Sequence, residues 1–543
     1  MTHAFLCTYL LYSSNSLRTA YPFRTYLFRQ NPIIFFLIII FIFSLSWIHA
    51  QHIQIYKTDL SAALLKKYEG LEKGTSITIS EIIFEKKQNV DAYQNTAYED
   101  MYYIRTNEKL IPITGKLKER LAFECKTPQD IWDSEVIKHV LLPLQKKGLQ
   151  KELRLEREQD ALDYIDRLKS NGLVYKDPYL ENYIYGLIAK IAPTHYIDKR
   201  PYRVNLLIVD DSSLNAGVYP NGTLIITTGL LSCLHSEDEL IAILSHEIAH
   251  FVLDHQIQNV NKAISRKNRA AFWATLATGA TAVAEGVAAA NGNYNTPGLA
   301  TLGVATLSGA IASEVIDWLG MKYNHKQENE ADAIAKNMLA IFQRDTNALS
   351  SALNHIQQTI NEEGLDDIYF DSFTHPALIE RIHKLGDPQT LPDPDFERKI
   401  SFIITNVARK KYDSGRFTQA IDLVSQNMEN HVATSEDYIL KAYCLFALYN
   451  SAQSNEEALS LIHSAKAVDP TNIEAYKAEI VAYLRLDDKN TALRLLQEYE
   501  SILTDMQQSD HSSYFIDTEI SWCRNMQIKL NGMQVQQATI QPY

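Results

Sequence analysis

Apolar positions along the chain change period several times, and each change predicts an element. They alternate in Ser76-Ile77-Thr78-Ile79-Ser80, and Ile82-Ile83-Phe84 follows, which predicts short strands. Segments near 150–170 and 179–192 read as helices, the second carrying Leu180, Tyr183, Leu187 and Ile191 at helical spacing. Val204-Asn205-Leu206-Leu207-Ile208-Val209 is a continuous run that predicts a buried strand ending at Asp210-Asp211. Val218-Tyr219, then Pro220-Asn221-Gly222, then Thr223–Thr228 predicts a hairpin in which Asn-Gly supplies positive φ at the turn. Gly229-Leu230-Leu231 leads into a helix. The next helix starts at Ser236, with Glu239 placed for a capping box. Leu240, Ile241, Ile243, Leu244, Ile248, Phe251 and Val252 form its apolar band.

The second half of the chain reads as helical. Residues 326–343 predict a helix with Glu328, Ala331 and Asp332 on one face. Thr374-His375-Pro376 opens another, with proline in the first turn. Gly386, Pro388, Pro392 and Pro394 mark 384–398 as a linker. From 401 onward the pattern is of paired helices. Ala420, Ala458 and Ala492 stand 38 and 34 residues apart, each followed four residues on by Val424, Ile462 or Leu496. A period near 34, with a small residue at the tightest helix contact, is the tetratricopeptide (TPR) signature.

Two apolar regions bear on location. Ile33–Ile48 is an uncharged run behind scattered arginines, followed by Ala50, and predicts a secretory signal or an uncleaved N-terminal anchor. Either way, export of the remainder is expected. Residues 262–325 contain Ala271–Ala284 and Leu299–Ala312, both short of the roughly 18 apolar residues a membrane span needs. They predict a helical hairpin packed near the site, for which a lid is one reading, with a membrane-dipping hairpin as the alternative.

Composition narrows the classes. The formal charge is −13, with 52 Lys+Arg against 65 Asp+Glu, which argues against nucleic acid as a partner. Of the five cysteines none has metal-type spacing; Cys444 with Cys523 is the first pairing to expect, and buried free thiols are the alternative.

Chemistry concentrates at His246-Glu247-Ile248-Ala249-His250, an H-E-x-x-H. Residues four apart on a helix stand nearly above one another, so His246 and His250 can hold one Zn²⁺. Glu247, beside them, is placed to take a proton from water at the metal. A catalytic zinc takes three protein ligands and keeps one position open. The third histidine of a metzincin would fall at Gln256, and the expected glycine is Leu253; His255 is one residue short and off the ligand face. A carboxylate on a later helix is the standard alternative, and Glu328 is the best candidate. Asp332, one turn along, can fix the tautomer of a ligand histidine.

In chain order Asn215-Ala216, the hairpin, Gly229-Leu230-Leu231, Asp238-Glu239-Leu240, His246–His250, Glu328-x-x-Ala331-Asp332 and His375-Pro376-x-x-x-x-Arg381 resemble a zinc endopeptidase family. That family includes the CAAX prenyl protease and the heat-shock protease HtpX. The resemblance covers roughly 175–385. It implies one Zn²⁺ per chain on His246, His250 and Glu328, Glu247 as general base, and His375 and Arg381 near the site. Either of the last two could stabilise the oxyanion, and His375 could instead plug the open metal position and keep the enzyme latent. Substrate backbone is expected to add as a strand beside Thr223–Thr228.

The expected fold is α+β: a zincin-like, mainly helical peptidase domain with a small β-sheet, followed by an all-α TPR-like solenoid. The expected boundaries are 1–50 for the signal or anchor, 51–150 for an accessory region, 151–390 for the peptidase domain and 399–530 for the repeats. Export and repeats resemble the periplasmic, BepA-type branch. The expected function is an exported zinc endopeptidase in envelope protein quality control, in the periplasm or cell envelope, anchored or peripherally membrane-associated. Its substrates would be proteins, misfolded or misassembled envelope proteins among them, and the repeats would bind a protein partner. The alternatives are a non-proteolytic TPR chaperone or adaptor with a latent or structural zinc, and a membrane-embedded prenyl-protein protease.

Overall fold

A computed structural model of the chain describes residues 53–68, 70–90, 96–106, 109–114, 117, 119–139, 149–194, 204–259, 323–363, 378–388, 391–509 and 514–538. The expected signal or anchor, the expected hairpin of 262–325 except its last residues, and Thr374-His375-Pro376 lie outside the described residues. No helix among those described is long and apolar enough to cross a membrane. The protein is a mixture of helix and strand, mostly helical, with an all-helical C-terminal region.

The region 51–150 contains a five-stranded antiparallel sheet of order β4-β3-β2-β1-β5. Its strands are β1 (Ile53–Leu64), β2 (Ser76–Val90), β3 (Thr96–Thr106), β4 (Leu110–Pro112) and β5 (Leu121–Glu124). The two short stretches expected at 76–84 belong to one strand, β2. Its register against β3 slips between Ile79 and Glu81. A bulge inserts one residue and so reverses the in–out parity. Ile77 and Ile79 are buried before it, and Ile82 and Phe84, with Ile83 between them also buried, after it. That change of parity is why the pattern read as two strands. Helix α1 (Pro128–His139) follows.

Next in the chain come α2 (Leu149–Ser170) and α3 (Pro178–Ile191), the latter capped by Asp177, whose carboxylate accepts from the backbone N–H groups of Tyr179 and Leu180. A three-stranded sheet follows: β6 (Asn205–Val209), β7 (Ala216–Val218) and β8 (Thr223–Thr227), in the order β6-β8-β7. The expected hairpin is β7–β8, with Gly222 at φ +82°. β8 pairs with β6 in parallel and with β7 in antiparallel, so both of its edges are occupied. A substrate strand therefore cannot add beside Thr223–Thr228 as expected. β7 is the edge strand that packs against the metal-motif helix.

Helix α4 (Thr228–Cys233) starts where β8 ends, and the loop 211–213 lies against its first turn. A Cβ on Gly229 would stand 2.3 Å from the Ser212 carbonyl oxygen and 2.5 Å from that of Ser213. Only glycine lets the loop approach this closely. Helix α5 (Glu237–Val252) is capped by the Ser236 hydroxyl, which accepts from the Glu239 N–H. The Glu239 carboxylate accepts from the N–H of His235 at 2.7 Å, one residue beyond the expected capping-box partner. Helices α6 (His325–Ile341), α7 (Ala348–Glu363) and α8 (Leu378–Leu385) complete this part.

The expected linker 384–398 is shorter than its glycine and prolines suggested. Helix α9 (Pro394–Asp413) begins inside it, capped by Asp393 with Pro394 in the first turn. Proline at a helix start costs no hydrogen bond, because the first-turn N–H groups have no intrahelical partner. α9 also packs on α4 and contacts the residues around it. Asp393 N–H donates to the His235 carbonyl at 2.8 Å, His235 Nδ1 lies 3.0 Å from Glu397, and Lys410 pairs with Asp210 at 2.9 Å.

Then follow α10 (Phe417–Glu429), α11 (Ser435–Leu448), α12 (Ala452–Val468), α13 (Ile473–Arg485), α14 (Lys489–Ser509) and α15 (Tyr514–Ala538), each packed on the next. Ala420, Ala458 and Ala492 fall on alternate helices and are fully buried, together with Val424, Ile462 and Leu496. The expected Cys444–Cys523 pairing is not formed. Both are buried free thiols, on α11 and α15 with three helices between, and burial pushes each thiol up to about 12.

Candidate metal centre

Two helices build the site. All of α5 from Glu239 to Val252 is buried, so His246, Glu247 and His250 are carried on an element enclosed by its neighbours. α6 lies alongside it, and Ala331 and Ala335, both fully buried, let the two backbones approach closely. Gln327 sets their register. Its side-chain oxygen accepts from the backbone N–H of the N-cap residue Asn324, while its amide reaches Asn259 at 3.0 Å, past the end of α5. The next residue, Glu328, is thereby held opposite the two histidines.

His246 Nε2 and His250 Nε2 are 3.0 Å apart, and the two Glu328 carboxylate oxygens each lie 3.6 Å from one of them. Ligands about 2.0–2.1 Å from a tetrahedral zinc would be separated by nearly these distances. Among the described residues these three form the group of His, Cys, Asp or Glu able to hold a metal. Charge supports the fit. Glu247, Glu328 and Asp332 are buried with Arg381, so three carboxylates face one guanidinium. A dication offsets the remaining two negative charges, which would otherwise be costly to bury.

The surrounding groups orient these donors. His246 Nδ1 lies 2.9 Å from Asp332 Oδ1. The Arg381 guanidinium grips Asp332 through Nε at 2.9 Å and Nη2 at 2.6 Å, and its Nη1 is 2.8 Å from Glu328. Arg381 thus comes to the site as expected, but its donors face these two carboxylates instead of an oxyanion. Burial opposes ionisation of Asp332, yet the Arg381 charge and the His246 contact hold its carboxyl below the usual range. Burial and Arg381 oppose protonation of His246, yet hydrogen bonds to Asp332 and Glu328 carry it above the usual histidine value. Burial, with the charges of Glu247 and Glu328 nearby, holds the Tyr323 phenol well above its ordinary pKa.

Three residues have contacts at the site that the sequence did not assign to them. Tyr323 stacks on His250 with ring centroids 3.6 Å apart and 16° between planes. Gln256 donates to the Tyr323 hydroxyl at 3.0 Å and also to the Val218 carbonyl of β7. His255, set aside as off the ligand face, has Nδ1 2.8 Å from His250 Nδ1. The chain leaves α5 through Asp254, at φ +63°, and this left-handed residue turns His255 back toward His250. Arg154 of α2 pairs with Asp254 and anchors that turn. Spacing along a regular helix cannot foresee such a reversal.

This architecture has relatives. Residues 178–389 match the peptidase family M48. The chain carries an M48 peptidase domain. A protein from Vibrio cholerae described as a beta-barrel assembly-enhancing protease is 27% identical over 188 residues, 34% of this chain and 34% of that protein. The mitochondrial metalloendopeptidase OMA1 of Schizosaccharomyces pombe is 27% identical over 197 residues, 36% of this chain and 49% of its own length. This chain therefore spans about a third to a half of the length of these relatives. Yeast Tom70 overlays on 74% of this chain and 80% of its own at 12% identity, with a TM-score of 0.22, too low to mark a shared fold. The M48 match includes α5, α6 and α8, the helices that carry His246, Glu247, His250, Glu328, Asp332 and Arg381.

Proposed function

We propose that this protein is a zinc-dependent endopeptidase that hydrolyses peptide bonds in protein substrates. The convergence of His246, His250 and Glu328 on one buried point, with Glu247 between the two histidines in sequence, carries the reading. One zinc ion held by those three residues would supply a Lewis acid that polarises the scissile carbonyl and acidifies water. Glu247 takes the proton of the attacking water and passes it to the departing amine. Asp332 holds His246 by its Nδ1, and Arg381 holds both Asp332 and Glu328, so Arg381 positions the ligands. Substrate backbone lies along the edge strand β7. His375 has the roles read from the sequence, either at the oxyanion or as a plug of the open position.

The domain organisation we propose is a zincin-like peptidase domain over 151–390, preceded by the sheet of the accessory region and followed by a TPR-like solenoid that takes a protein partner. Consecutive packed helices with buried alanines at a period near 34 support the solenoid. We further propose export through the apolar run 33–48 and action on envelope proteins. The support is the pattern of the first fifty residues and a relative described as a beta-barrel assembly-enhancing protease.

The test pairs a zinc assay with cleavage of an unfolded casein-type substrate. Wild type should hold one zinc and cleave. Glu247→Gln should hold one zinc and lose cleavage by at least about a thousandfold, the combined scale of a general base and a lost proton shuttle. Cleavage by the Gln variant near the wild-type rate, or a wild type without zinc, would overturn the proposal.

A further inference from the structure

We propose that His255 and Glu330 form a relay that sets the tautomer of His250 and so determines how tightly the metal is held; this rests on the zinc-site reading above. Both metal-site histidines need their Nε2 lone pair directed inward, which places the proton on Nδ1. For His246 the acceptor of that proton is a carboxylate, Asp332. For His250 it is a second imidazole, His255 Nδ1 at 2.8 Å.

Two neutral imidazoles facing each other through Nδ1 share one proton, and two arrangements satisfy the distance. If His255 donates, the proton of His250 moves to Nε2 and that nitrogen can no longer bind a metal. If His250 donates, its Nε2 is free for the metal and His255 must carry its own proton on Nε2. Tautomers are inferred from partners, so the far side of His255 decides. There His255 Nε2 lies 3.4 Å from Glu330 Oε2. A carboxylate accepts only, so it selects Nε2–H on His255 and hence Nδ1–H on His250. The order runs from Glu330 through His255 and His250 to the metal position.

The packing is built to hold this chain in line. His255 is 1% exposed, its carbonyl accepts from Gln327 at 3.4 Å, and Tyr323 stacks against His250. Glu330 stands two residues after Glu328 on α6, so the helix that supplies the third donor also supplies the end of the relay. The helical face bearing Glu328 and Asp332 orients His246, and Glu330 orients His250 through His255.

The test is zinc affinity of the full chain, measured by chelator competition, with the cobalt(II) absorption spectrum as a second readout. His255→Leu removes the acceptor. It should weaken zinc binding about 10–100-fold and shift the cobalt bands. His255→Gln keeps an acceptor oxygen for His250 Nδ1–H and should recover most of that loss. Glu330→Gln, at a partly exposed position, should fall between them and leave folding intact, which keeps the relay testable if His255→Leu does not fold. Zinc affinity of the Leu variant within threefold of wild type would overturn the relay. So would a Gln variant as weak as the Leu variant, since that outcome assigns His255 to packing alone. A wild type that binds no zinc overturns the metal site itself, a result distinct from either.

Discussion

Arg381 grips Asp332 through two parallel hydrogen bonds of 2.9 and 2.6 Å, and its third nitrogen reaches Glu328 at 2.8 Å, all within a region closed to solvent. A fork of this kind suits arginine and not lysine, because the guanidinium matches a carboxylate bidentately. Arg381→Leu leaves two buried carboxylates without their cation. It should destabilise the metal-free protein by about 3–5 kcal/mol, read from denaturant unfolding. A cost under about 1 kcal/mol would mean the pair has access to water.

Asp332→Asn preserves shape and removes charge. The His246 Nδ1–H then meets a neutral acceptor, and zinc affinity should fall about 10–100-fold in chelator competition. Unchanged affinity would mean that another group orients His246.

Metal removal should lower stability measurably. Three buried carboxylates against one guanidinium leave excess negative charge that a dication offsets. Binding to the folded state alone stabilises by about 4 kcal/mol at a free zinc concentration a thousand times the Kd. The unfolding midpoint should therefore rise with added zinc and fall back on chelation, whereas Mg²⁺, which prefers octahedral oxygen ligands, should do little at the same concentration.

Gly229→Ala tests the loop that supports the start of α4. The added methyl group meets backbone atoms at 2.3–2.5 Å, and backbone cannot move aside as a flexible side chain can. A loss of about 3 kcal/mol or more is expected in thermal unfolding, with no change in zinc stoichiometry for the fraction that folds.

Much of the helical framework was legible from period alone. α5 with its apolar band, α3, the β7–β8 hairpin and the alternate helices carrying Ala420, Ala458 and Ala492 lie where the apolar spacing put them. The accessory sheet was harder to read, because the bulge near Ile79–Glu81 breaks the alternation on which strand patterns depend. Pro392 and Pro394 read as linker although they precede and open α9, since proline marks a helix start as well as a loop. Cys444 and Cys523 could be paired on paper because sequence carries no distance between helices.

The sequence by itself determined the pair His246 and His250, with Glu247 beside them, because local helical geometry alone aligns residues four apart. It also narrowed the third donor to a later carboxylate, with Glu328 foremost. Tertiary structure decided what those donors face. The docking of α6 on α5 brings Glu328 within 3.6 Å of both histidines, and Arg381 arrives from α8 to hold Glu328 and Asp332. A left-handed residue at Asp254 returns His255 to His250, and β8 is shut off by strands on both sides. These relationships join residues distant in the chain or reverse its direction, and no period in a sequence encodes either.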